Sequence, residues 1–104
     1  AFGGMNVRIA DYARFGTAEL SEYALAALEG RTACLLANHG MIATGASLDK
    51  AMWLAVELET IARQYYLTLA IGGPVLLNEA QIGETAAAFG SYGVQDPPVG
   101  NLQA

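Results

Sequence analysis

The sequence is short of charge, cysteine and histidine, and each shortage excludes something. Only 14% of its 104 residues are charged, and ten Asp and Glu outnumber five Lys and Arg. The net charge is −5 and the pI lies near 4.5. The few cations are scattered singly, with no basic stripe to release counterions from a nucleic acid, so the composition argues against that class of partner. A lone cysteine, Cys34, rules out an intrachain disulfide. Inside an apolar run its thiol acts as a small buried hydrophobe, which suits a reducing, cytoplasmic setting. The longest apolar stretch, residues 51–73, is broken by Glu57, Glu59, Arg63 and Gln64. Four such groups are costly in hydrocarbon, and a membrane span is not expected. The start carries no basic segment followed by a short apolar core, and its first residue is Ala, so the reading is of a chain that begins within a longer protein.

Hydrophobicity is plentiful. Apolar residues make up 54% of the chain and the mean hydropathy is +0.32, more than one small domain comfortably hides. The expectation is a single partial domain over residues 1–104, with apolar surface covered by another subunit or by the rest of the same polypeptide.

Periodicity gives the order strand, helix, strand, strand, helix, helix. Residues 6–10 alternate weakly, with Val7 and Ile9 to one side and Arg8 to the other. Thr17 caps a helix over residues 17–29 whose stripe is Leu20, Ala24, Ala27 and Leu28; Gly30 ends it. Residues 32–37 form a continuous apolar run bounded by Gly30-Arg31 and Asn38-His39-Gly40, which suits a strand buried on both faces. A second strand follows over residues 41–44. Ser47 caps a long helix with a stripe of Leu48, Ala51, Met52, Ala55, Leu58, Ala62, Tyr65 and Leu69, and Gly72-Gly73-Pro74 stops it. Asn78 and Gln81 have capping-box spacing ahead of a short helix with Ile82, Ala86 and Phe89 on one face, weakened by Gly83. Residues 94–104, with Pro97-Pro98 and Gly100, read as an extended or mobile tail.

His39, the single histidine, stands where a buried strand meets a tight turn. Strand ends aim side chains into crevices where open α/β sheets bind ligands, and Gly40 permits close backbone approach beside the imidazole. On the residues alone, His39 either caps the turn or ligates a metal. Catalytic zinc normally takes three protein ligands, and this sequence offers no second histidine. Phe15 and Phe89, by spacing alone, are packing aromatics near helix ends, whereas the Tyr92 hydroxyl needs a polar partner.

Longer segments tip these alternatives. YARFGTAELSE over residues 12–22, RTACLLANHGMI over 31–42, LDKAMWLA over 48–55, YYLTLA over 65–70, Pro74 and FGSYG over 89–93 stand in order along most of residues 3–93. Together they resemble the class II aldolase and adducin family, closest to its L-fuculose-phosphate aldolase branch. The resemblance implies an α/β class, the C-terminal portion of a three-layer α/β/α fold around a mostly antiparallel sheet. It implies a homotetramer with active sites between neighbouring subunits, and a zinc, or another divalent metal, held by three histidines of which His39 matches the third. The other two ligands and the proton-shuttling glutamate belong to the family's first half, so these 104 residues are expected to be the C-terminal half and inactive by themselves. Phe15, Phe89 and Tyr92 match positions that shape the aldehyde end of the site, with Tyr92 placed to orient or protonate the aldehyde oxygen.

The implied reaction is cleavage of a ketose 1-phosphate, of the L-fuculose 1-phosphate type, to dihydroxyacetone phosphate and an aldehyde. Breaking a carbon–carbon bond beside a carbonyl leaves an enediolate, whose charge a divalent cation stabilises as a Lewis acid while a carboxylate moves the proton. The alternatives are a sugar-phosphate epimerase or dehydratase of the same family, against which Phe89 and Tyr92 speak, and a non-catalytic adducin-like assembly domain, against which His39 speaks.

Overall fold

A computed structural model describes residues 1–90. The order of elements is β1 (Ile9–Ala10), α1 (Ala18–Leu28), β2 (Ala33–Leu36), β3 (Gly40–Ala43), α2 (Leu48–Leu69) and α3 (Glu79–Phe89). The three strands form one sheet in sequence order, with β1 parallel to β2 and β2 antiparallel to β3. The described sheet is therefore mixed, with antiparallel pairing the longer of its two ladders. β1, α1 and β2 make a β–α–β unit, in which a helix carries the chain back across the sheet so that the next strand can run parallel.

The uninterrupted apolar run of β2 works because both faces are covered. Cys34 and Leu36 turn toward α1, where they pack with Ala10, Ala24 and Ala27. Ala33 turns the other way, into a second cluster with Phe2, Leu54 and Leu58 of α2. Helix, sheet and helix thus form three layers, the helices nearest the sheet presenting Ala24 and Ala27 on one side and Leu54 and Leu58 on the other. Full burial of one such leucine contributes roughly 1.5–3 kcal/mol relative to exposure.

Each helix starts on the cap expected of it. The Thr17 hydroxyl accepts from the Leu20 N–H at 3.3 Å, and Ser47 accepts from the Lys50 N–H at 3.2 Å. Asn78 and Gln81 form a complete capping box. At the far end of α1 the Arg8 guanidinium donates to the carbonyls of Ala27 (3.2 Å) and Glu29 (2.5 Å), placing a cation where the helix dipole is negative. Helix α2 ends with Gly72 at φ +108°, while the Gly73 N–H reaches back to the Thr68 carbonyl at 2.8 Å. This is a left-handed helix stop of the kind that glycine allows.

Two expectations need correcting. The first strand is only Ile9–Ala10, shorter than residues 6–10; Val7 does pack on the α2 side and Arg8 does reach α1, but Ile9 is 61% exposed and Ala10 is the buried residue of the strand. The long stripe on α2 is also only partly used: Leu54 and Leu58 are buried, whereas Leu48, Met52, Tyr65 and Leu69 are exposed. The reasons differ along the helix. Leu48 and Met52 border an open groove beside Met41 and Ala43 of β3, whereas a 22-residue helix is about 33 Å long and a four-residue strand covers about 13 Å, so the later turns of α2, with Tyr65 and Leu69, extend beyond the sheet. Helix α3 buries no residue. None of the described helices is long and apolar enough to cross a membrane.

Candidate functional site

His39 sits in the hairpin that joins β2 to β3. Leu36 pairs with Gly40, and the His39 N–H closes a four-residue turn onto the Leu36 carbonyl at 3.0 Å. Asn38, third in that turn, has φ 58°, a left-handed conformation that Asn tolerates better than most residues with a side chain. The Ala37 N–H donates to the Ala10 carbonyl at 3.1 Å, which ties the turn to the end of β1. Asn38, His39 and Gly40 are all exposed. A Cβ at Gly40 would meet nothing within 4 Å and its φ is not positive, so this chain's own fold does not require glycine there.

The parallel pairing decides what shares that end of the sheet. Because β1 and β2 run the same way, residues 11–17 leave the sheet at the same end as the Ala37-Asn38-His39 turn. Crevices outside the carboxyl ends of parallel strands are the usual ligand sites of α/β sheets. Phe15 lies in this segment, 72% exposed, beside a left-handed Gly16 at φ 78°. The segment is pinned where α1 begins, the Thr17 hydroxyl donating to the Arg14 carbonyl at 2.7 Å. A shallow groove here is lined by Tyr12, Ala13, Arg14, Thr17, Glu19 and Tyr23. Reasoning from sequence did not single out Tyr12 or Arg14 as groove residues. The signal that finds them is their place in the loop between strand and helix of a β–α–β unit.

Phe89 lies elsewhere. It is the last residue of α3, 51% exposed, and lines a groove with Gly3, Gly4, Met5 and Ile82. The N-terminal segment there is bound to the start of β2: the Thr32 N–H donates to the Phe2 carbonyl at 3.0 Å and the Thr32 hydroxyl to the Ala1 carbonyl at 3.2 Å. That is the end opposite His39, separated by the length of β2, about 13 Å. Within one chain the fold brings Phe15 and His39 to one end and leaves Phe89 at the other. Tyr92 lies outside the described residues.

The metal implied by the resemblance does not find a complete site here. Among the described residues no three His, Cys, Asp or Glu come together in a metal-holding group, so His39 is a single donor of the right chemical kind. Cys34 is buried against α1. Burial pushes its thiol above its ordinary value of 9.0, partly offset by a backbone hydrogen bond at Ile42, so it is neither exposed nor activated as a ligand.

The Class II Aldolase and Adducin N-terminal domain model matches residues 1–66. A 5-methylthioribulose-1-phosphate/5-deoxyribulose-1-phosphate aldolase of Rhodospirillum rubrum is 54% identical over 91 residues, covering 88% of this chain and 41% of that protein. The L-fuculose phosphate aldolase of Escherichia coli K12 is 46% identical, over 91% of this chain and 45% of that protein. A 5-deoxy-D-ribulose 1-phosphate aldolase of Bacillus thuringiensis is 44% identical over the same shares of each. Among solved structures, an L-fuculose 1-phosphate aldolase superposes with a TM-score of 0.78 at 42% identity, over 81% of this chain and 40% of that one. The chain spans less than half the length of these relatives. With its three-layer architecture shared at that level of identity and a family match over residues 1–66 of 104, the chain belongs to the class II aldolase and adducin family.

Proposed function

We propose that the protein carrying this chain is a metal-dependent aldolase, zinc being the favoured metal, that cleaves a ketose 1-phosphate to dihydroxyacetone phosphate and an aldehyde. The observation that carries this reading is the likeness along most of the chain to relatives named as sugar-phosphate aldolases, two of them as aldolases of ribulose 1-phosphate derivatives. L-Fuculose 1-phosphate and the 5-deoxy- and 5-methylthioribulose 1-phosphates are the substrates to test. These sugars differ mainly at the end remote from the phosphate, where the aldehyde product forms.

In this reading His39 supplies one of three metal ligands from a turn fixed by the Leu36, Ala10 and Gly40 backbone. The cation, when bound, supplies Lewis-acid stabilisation of the enediolate. The other ligands and the proton-moving carboxylate come from residues outside these 104. Phe15 forms part of the apolar wall for the aldehyde, and Tyr92 orients or protonates the aldehyde oxygen. Since Phe89 sits at the opposite end of the sheet from His39 within one chain, its contribution is read as coming from a neighbouring subunit of a homotetramer. The exposed apolar length of α2 supports such an assembly. Cytoplasmic residence fits the single buried thiol.

The test uses the whole protein that contains this segment. Metal analysis is expected to find one divalent cation per subunit, and incubation with each of the three ketose 1-phosphates is expected to release dihydroxyacetone phosphate from at least one. A preparation that holds no metal and cleaves none of them would overturn the reading. His39→Ala should lose the metal and reduce cleavage by more than about 100-fold, since changes to groups that merely orient a ligand already cost 10–100-fold. Its thermal midpoint without metal should stay put, because His39 is exposed. Metal retained in His39→Ala would remove this residue from the ligand set.

A further inference from the structure

We draw no further inference here: the strongest candidate, the apolar groove between β3 and the first half of α2 lined by Met41, Ala43, Leu48, Met52 and Ala55, is an unpartnered face and nothing in the structure shows what covers it.

Discussion

Asn38 illustrates how one residue holds the candidate site in shape. Its φ of 58° is costly for any side chain branched at Cβ, by roughly 1–2 kcal/mol. Asn38→Val is therefore expected to lower stability by about that amount, whereas Asn38→Gly should change it little, as urea midpoints of the two variants would report. If valine were tolerated as well as glycine, the turn would not be held in this conformation. Cys34 makes a second prediction at this scale. Its thiol titrates above 9.0 because burial disfavours the thiolate, so the stabilisation from the neutral form is intact below pH 9 and is lost as pH rises through the raised value. The difference in urea midpoint between the parent and Cys34→Ala should shrink from pH 8 to pH 10, and the native thiol should resist a thiol reagent that labels the unfolded chain at once. Much at this scale was readable in advance: the lone histidine at a strand end, the buried thiol, the capping hydroxyls of Thr17 and Ser47. The left-handed Asn38 was not, because Asn occupies either side of φ and only the hairpin register forces the choice.

The elements were legible where their signals are local. Caps, glycine stops and the two-faced strand all depend on residues a few positions apart, and they fall where the sequence puts them. The parallel pairing of β1 with β2 was missed as an explicit relation because β1 contributes only Ile9 and Ala10, too few for alternation to show. The Arg8 cap on α1 was likewise invisible, since Arg8 and Glu29 are 21 positions apart. Helix α3 gives this scale its test. Having no buried residue, it draws its order from its capping box, in which the Asn78 side-chain Oδ1 accepts from the Gln81 N–H at 2.8 Å and the Gln81 Oε1 accepts from the Asn78 N–H at 3.0 Å. Asn78→Ala should cost this helix about 1 kcal/mol, seen as faster amide exchange confined to residues 79–89. Unchanged exchange there would mean that packing, not the cap, orders it.

At the scale of the molecule the contrast is between a small complete interior and a large uncovered exterior. Leu58, 1% exposed, joins α2 to the sheet, and Leu58→Ala is expected to cost about 2–5 kcal/mol. Tyr66, on the same helix but 73% exposed, should change the stability of an isolated subunit by no more than about 0.5 kcal/mol when replaced by Ala. A larger loss for Tyr66→Ala that grows with protein concentration would mark its face as an assembly contact. Composition announced this surplus, since 54% apolar residues exceed what one small domain can bury, but it could not say which stretch of α2 would be left over. That follows from the lengths of helix and strand. The hairpin that carries His39 has a consequence in time as well as in space. Its paired residues run only from Ala33 to Ala43, so it can close in about 1–10 μs, whereas β1 must wait for a helical crossover to reach Leu35 and Leu36. The turn bearing the proposed metal ligand thus belongs to the part of the chain with the shortest loop to close, and its shape depends least on when the remainder arrives.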